Sequence, residues 1–379
     1  KVVDLGYTTY QSDLSFVNGV TSFLGIRYAA SPTGKAHNFP PPKVPGIHNA
    51  TSPPRQCHHV PLMGTHGRST TSPFRKPVLE GPQGVSPYSE DCLFLKEGYF
   101  HLFVALLSIF SFAPSVHVPS ERKPKSLLPV IVYIHGGGYD AGSVTLYPMQ
   151  DFVTLSNFGV VSVAIQYRLG VFDFLPGENI KQTGDLAFFF GQSPMNAHNI
   201  SELSSQSDHM GQSAGAGCML QHVVAYGGNT QPQLFRAVIA NSPYLLPHCS
   251  GSNDSIVCHR DTPAATLLAA GSEISASSFL GLFTFLPVVD GAFIVERPSV
   301  TLQRGQVNGM LLLTTNEDEG ALFVNPDALV HNKLTLREYT RELFPRLDRA
   351  QVEHVVRLYA NTGREDTVNQ ASEIIGHCE

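Results

Sequence analysis

Three short stretches carry the residue types that acyl-transfer chemistry requires. Residues 211–215 read Gly-Gln-Ser-Ala-Gly. A Gly-x-Ser-x-Gly pattern can set a serine on a tight strand-to-helix turn, which makes Ser213 a candidate nucleophile. The small residues Ala214, Gly215, Ala216 and Gly217 let a helix start close against a sheet and leave the Ala214 N–H free to donate. Residues 135–138 read His-Gly-Gly-Gly. Consecutive glycines let N–H groups turn into a cavity without Cβ obstruction, so Gly137 and Gly138, with Ala214, form a candidate oxyanion hole. Residues 316–320 read Asn-Glu-Asp-Glu-Gly, and a carboxylate there can accept the N–H of a histidine ring and orient it. On residue type alone Glu317, Asp318 and Glu319 are rivals. Taken singly, each stretch also has a bland reading: an ordinary serine, a glycine turn, a solvated acidic turn.

These stretches need a scaffold, and the sequence predicts one. Residues 127–135, 159–167, 236–243 and 309–316 are apolar runs rich in β-branched residues, the mark of strands buried on both faces of a parallel sheet. Segments such as 265–273 and 335–360 read as helices between or after them. Alternating strands and helices predict one α/β domain over residues 1–379, with a mostly parallel sheet flanked by helices. In such sheets the active residues gather beyond the carboxyl ends of the strands. Both the glycine run and the acidic turn follow a predicted strand.

Composition narrows the class. With 379 residues, 42% hydrophobic and 15% charged, the chain can bury a large core, and wholesale disorder is not expected. A formal net charge of −6 gives no basic field for nucleic acid, so small neutral or lipophilic substrates remain. No Cys-x-x-Cys pair argues for zinc, and neither a metal nor a cofactor is implied. Residues 99–114 are apolar, but the run is shorter than the roughly 20 residues a bilayer needs and ends at Pro114, so a membrane span is not expected. Acceptor sequons occur at Asn49, Asn199 and Asn253, and they matter only in a chain that passes through the secretory route. The amino terminus shows no basic-then-apolar leader, which fits a mature secreted chain or a fragment.

Taken together, SEDCLFL (89–95), PVIVYIHGGGY (129–139), QYRLGVFDFL (166–175), GQSAGAG (211–217), FRAVIANSP (235–243), PVVDGAFI (287–294) and NEDEGALF (316–323) closely resemble the type-B carboxylesterase and cholinesterase family, most nearly its fungal members. The resemblance runs in order over most of the chain. It implies an α/β-hydrolase fold and hydrolysis of a carboxylic ester by a Ser-His-Glu triad, with Ser213 as nucleophile and Glu319 as the acid. It also implies disulfides Cys57–Cys92 and Cys249–Cys258, leaving Cys218, read as a buried apolar filler, and Cys378. Two disulfides with sequons favour secretion. The implied partner is a small-molecule or lipid ester, and the oligomeric state is open.

Departures from the family pattern qualify this reading. Residues 187–210 are shorter than the family segment, and residues 201–209 are polar where an apolar strand should lead into Ser213; either the strand forms poorly, or Ser213 is held by contacts these residue types do not reveal. Residues 96–117 read as an atypical apolar insertion. The family's histidine lies downstream of the segment that residues 371–379 resemble, so the base is expected beyond that segment. His377 is a weak substitute, and His135 and His222 read as structural. The excursion after Tyr244 is abbreviated, so substrate shape is the least legible property. A catalytically inactive binding or adhesion protein, or a fragment that does not fold, are the alternatives.

Overall fold

The computed structural model describes residues 2–4, 8–12, 19–27, 46–52, 55–60, 88–92, 115–120, 128–174, 207–244, 262–360 and 366–378, apart from positions 232, 234, 281, 290 and 292. Its centre is a seven-stranded sheet. In chain order the strands of the molecule are β1 (Val2–Asp4), β2 (Thr9–Gln11), β3 (Val20–Leu24), β4 (Ile47–Asn49), β5 (Ser115–Pro119), β6 (Val130–Ile134), β7 (Val161–Ile165), β8 (Ser207–Gln212), β9 (Ala237–Asn241) and β10 (Met310–Thr314). The large sheet runs β10-β9-β8-β6-β7-β5-β3, and β1-β2-β4 form a separate small sheet. Strands β6 to β10 pair in parallel, while β5 and β3 close one side antiparallel. The helices are α1 (Gln150–Leu155), α2 (Ala214–Gly228), α3 (Ala264–Ser277), α4 (Pro298–Gln303), α5 (Pro326–Val330), α6 (Leu336–Leu343), α7 (Arg349–Tyr359) and α8 (Thr367–Cys378).

The apolar runs become strands for the expected reason. Every residue of β7 is buried, and β6 is nearly so, because helices and loops cover both faces. Helix α2 packs on β8 and β9, and its small first turn permits the close approach: a Cβ on Gly215 would lie 2.2 Å from the Ile134 carbonyl oxygen. Pro345 separates α6 from α7, as the missing N–H and ring clash of proline require. Capping boxes start both helices, Thr335 with Glu338 and Asp348 with Gln351.

Two expectations meet corrections. Strand β8 forms at the heart of the sheet between β6 and β9 despite its polar sequence. Partners outside the strand hold it. Arg236, at the start of β9, makes a two-toothed ion pair with Asp208, its Nε donating to Oδ1 at 2.8 Å. The His209 ring packs 5.1 Å from Phe235 and 6.3 Å from His222, and burial lowers its pKa to about 4, so it lies in the sheet as a neutral ring. Strand β10, expected to be buried on both faces, is instead an outer strand of the described sheet. Met310, Leu312 and Leu313 are all about half exposed or more.

Strand β5 begins at Ser115, inside the stretch 96–117, and its His117 donates to or accepts from Ser22 Oγ at 2.6 Å in the sheet interior. Residues 96–114 and 187–206 lie outside the described residues, as do Asn199, Asn253, Cys249 and Cys258. Cys57 and Cys92 are bonded as the resemblance implied. Cys218 is a buried thiol whose pKa burial pushes up to about 12, which suits a packing role. Among the described residues no helix is long and apolar enough to cross a membrane, and no group of His, Cys, Asp and Glu could hold a metal.

Candidate active site

Strand β8 and helix α2 meet at a single residue, Ser213, with φ 54° and ψ −122°. For a residue with a side chain this is a sparsely populated conformation, costing roughly 1–3 kcal/mol, and it persists only where the surroundings over-determine it. They do so here. The Ser213 N–H donates to the Asn241 carbonyl at 3.0 Å, at the carboxyl end of β9. Its carbonyl accepts from Gly217 N at 2.8 Å and from Tyr244 N at 3.2 Å. The side chain is half-buried at the head of α2.

The glycine run after β6 lies against this turn. A Cβ on Gly136 would sit 2.7 Å from the Gln212 carbonyl oxygen and 3.1 Å from Ser213 Cβ, so only glycine lets the two strand ends come this close. Gly137 and Gly138 both have positive φ, 122° and 62°. A Cβ on Gly138 would fall 1.9 Å from the Phe283 ring. The Gly137 carbonyl accepts from Asp140 N and Ala141 N, which folds the loop back and fixes the peptide planes. His135 is fully buried and is fixed: Nδ1 donates to the Gly136 carbonyl at 2.8 Å, and the ring stacks on Tyr167 at 4.4 Å. Burial drops its pKa to about 4. Its role is structural, as is that of His222, buried inside α2 with a pKa lowered to about 3 by burial and by His209.

At the carboxyl end of β10, Glu319 opens a 3₁₀ turn. Its Oε1 accepts from Asn316 N at 2.6 Å and from Asn316 Nδ2 at 3.0 Å. Asn316 Nδ2 also reaches Ser242 Oγ at 3.1 Å, and Ser242 directly follows Asn241, the residue that holds Ser213 N–H. Hydrogen bonds from Glu319 through Asn316 to Ser242, and the peptide link from Ser242 to Asn241, thus connect the turn of Glu319 to the turn of Ser213 across the ends of β9 and β10. Glu317 and Asp318 are exposed, whereas Glu319 is half-buried. Helix α8 packs on this turn: a Cβ on Gly320 would lie 1.8 Å from the Ser372 carbonyl oxygen, and one on Gly376 would lie 3.9 Å from Glu319 Cβ. The His377 side chain lies outside the described residues. Among the described residues no histidine is hydrogen-bonded to Ser213 or Glu319.

Two sets of residues here were not singled out in the sequence. Asn316 and Ser242 bridge the strand ends, and their only signal was position, each just past a strand. Phe283, Tyr244 and Phe323 form an aromatic cluster beside the glycine loop, with ring centroids 4.9 Å apart for Tyr244–Phe283 and 6.2 Å for Phe283–Phe323. Phe283 and Phe323 come from segments far apart in sequence, so periodicity could not group them.

A mostly parallel sheet flanked by helices, with a strained serine between strand and helix, defines the α/β-hydrolase class. Comparison with known proteins makes this specific: the chain belongs to the carboxylesterase family, matched over residues 8–250 and 244–373. It is 27% identical to the secreted triacylglycerol lipase LIP1 of Gibberella zeae over 90% of this chain and 62% of that one. It is 28% identical to the cholinesterase of Mus musculus over 90% of this chain and 58% of that one. The chain thus spans about three-fifths of the length of these relatives. Among solved structures, Aspergillus niger EstA matches with a TM-score of 0.70 at 23% identity, covering 99% of this chain and 71% of that one. A PNB esterase matches with the same TM-score at 20% identity, covering 99% of this chain and 74% of that one.

Proposed function

We propose that the protein is a carboxylic ester hydrolase working by acyl transfer to Ser213. The observation that carries this reading is the over-determined backbone of Ser213 at the strand-to-helix turn, with its Cβ 3.1 Å from where a Cβ on Gly136 would lie. Ser213 Oγ attacks the ester carbonyl and forms a tetrahedral adduct. The N–H groups of Gly137, Gly138 and Ala214 hold its oxyanion. A histidine takes the Ser213 proton and returns it to the leaving alcohol, with Glu319 accepting the other ring N–H. Water then repeats the sequence to release the acid. Family membership and the relatives named as lipases support this reading. Passage through the secretory route is part of the proposal, supported by the Cys57–Cys92 bond and by relatives named as secreted. The second disulfide, Cys249–Cys258, belongs to the same proposal.

The test is treatment of the full chain with a fluorophosphonate probe and mapping of the label by peptide mass. Label on Ser213, absent from Ser213→Ala, is the expected result. A cooperatively folded protein that takes no label and shows no ester hydrolysis above the uncatalysed rate would overturn the hydrolase reading and favour a binding role for the fold. Turnover measured beside labelling tests the base. A triad working without its histidine keeps only the rate that oxyanion hole and binding supply, roughly 10³–10⁴-fold over water.

A further inference from the structure

Asp140, two residues beyond Gly138, is a buried carboxyl that the ester chemistry does not call for. Its backbone is part of the glycine loop. The Asp140 N–H donates to the Gly137 carbonyl at 3.1 Å, and the Asp140 carbonyl accepts from Val60 N at 3.0 Å, so residue 140 ties the candidate oxyanion hole to the segment at 55–60. Helix α3 packs on the same Val60: a Cβ on Gly271 would lie 2.9 Å from the Val171 side chain and 3.5 Å from that of Val60. Ser275 follows Gly271 by one helical turn, is itself buried and makes a polar contact with the Asp140 carboxyl. Neither carboxyl oxygen has a regular hydrogen-bond partner.

A charge without a counter-charge is poorly tolerated in such a place, and burial raises the Asp140 pKa to about 8, so the acid is neutral at pH 7. The titratable groups on the neighbouring elements leave this unchanged. His58 and His59, beside Val60, and His135, at the end of β6, have pKa values lowered by burial and are neutral above pH 7. Tyr139 is raised well above its ordinary value by burial. Arg168 is engaged by Asp173, with Nη2 2.6 Å from Oδ1, and Glu273 on α3 is exposed.

We propose that Asp140 is a positioning residue whose carboxyl proton keeps the oxyanion loop clasped between Val60 and α3. With the proton in place, the side chain stays in its dry seat and the backbone of residue 140 holds the peptide planes of the loop. When the O–H proton passes to solvent, the carboxylate turns towards water, and the bonds of residue 140 to Gly137 and Val60 go with it. Closure is present below the pKa and lost above it. The effect on catalysis rests on the ester-hydrolase reading above, whereas the clasp itself does not.

Hydrogen exchange with mass spectrometry on the full chain reads the loop whether or not the protein hydrolyses esters. Amides of a peptide spanning residues 136–142, corrected for the intrinsic pH dependence of exchange, should exchange about tenfold faster in the parent at pH 9 than at pH 7, because the ionised fraction rises about tenfold across a pKa of about 8. Asp140→Asn keeps the shape without the charge, and Asp140→Leu fills the seat with an apolar group; in both the change should stay below about twofold. Loss of protection in all three proteins, or in none, overturns the proposal. The rate of fluorophosphonate labelling at Ser213 should fall about tenfold over the same range in the parent and stay level in both variants. A level parent rate beside a loosened loop overturns the positioning role. A parent that neither takes label nor hydrolyses ester at pH 7 sinks the hydrolase reading and the positioning role with it, while exchange alone still decides whether the clasp exists.

Discussion

Gly215→Ala sets two physical expectations against each other. In an exposed helix the change stabilises by about 1 kcal/mol, because alanine loses less backbone entropy than glycine. At Gly215 the added Cβ would lie 2.2 Å from the Ile134 carbonyl oxygen, 2.7 Å from that of His135 and 2.8 Å from the Ile134 carbonyl carbon. These are backbone atoms of the strand end that leads into the glycine loop, and no side-chain rotation relieves the contact. Helix α2 must move off β6. Overpacking of this kind costs about 1–3 kcal/mol when side chains can yield, so the backbone case belongs at the upper end, about 3 kcal/mol, and exceeds the gain in helix propensity. The measurement is urea denaturation of the two proteins: with a slope near 3 kcal/mol per molar, a net loss of about 2 kcal/mol lowers the midpoint by about 0.7 M. Labelling by fluorophosphonate should also slow by at least about tenfold, since α2 carries Ser213 and a small misplacement of the nucleophile is expensive. A Gly215→Ala protein as stable as the parent, or more so, would show that the described contact between α2 and β6 does not hold.

Further outcomes follow from the site and its supports. Glu319→Gln should lower turnover by about 10⁴-fold through loss of the charge that orients and stabilises the imidazolium, while Glu317→Gln and Asp318→Asn change it little; equal losses in all three would refute the assignment, with steady-state ester hydrolysis as the assay. His59, His117, His135 and His209 have pKa values lowered to about 4, and His222 to about 3, in each case chiefly by burial. Each binds its proton more readily unfolded than folded, so their neutral burial is tolerated above about pH 6.5 and stability falls as pH drops from there towards 4. Asp140 and Asp173, raised by burial to about 8 and about 7, act in the opposite sense, but five rings outweigh two carboxylates, so thermal midpoints across that range should fall, and a rise would contradict the buried neutral rings. Cys57 and Cys92 are 35 residues apart, and chain-entropy reasoning places the effect of losing their bond at about 4 kcal/mol. A double serine variant should therefore show a large drop in urea midpoint, and an unchanged midpoint would place the bond outside the cooperative unit.

How much of this was legible in the sequence depends on where the determining contacts lie. Strands β6 and β7 could be read because burial on both faces selects continuous apolar residues, a local signal, and β9 because its run is apolar although only alternate residues are fully buried. Strand β8 could not. It is held by backbone pairing with β6 and β9 on either side and by the packing of His209 on Phe235 and near His222, which residue types within 201–209 do not announce. The exposure of β10 was equally hidden, since an apolar run gives composition but not what lies beside it. At the site, Ser213 and the glycine loop were visible because their backbone geometry restricts residue type. Glu319 could not be told from its neighbours by type; only Asn316, which grips its Oε1, and the cover of α8 distinguish it. The Cys57–Cys92 pairing came from family resemblance, not from spacing.

The exposed outer strand has a kinetic consequence. Met310 to Thr314 is a five-residue window with no charge and no proline, and its peptide groups on one side have no partner among the described residues. Such an edge is a template for another strand. While the chain folds, association between molecules through β10 competes with completion of each one, and the first process grows with concentration whereas the second does not. The yield of folded protein should then fall as chain concentration rises, and by the same extent in Ser213→Ala as in the parent.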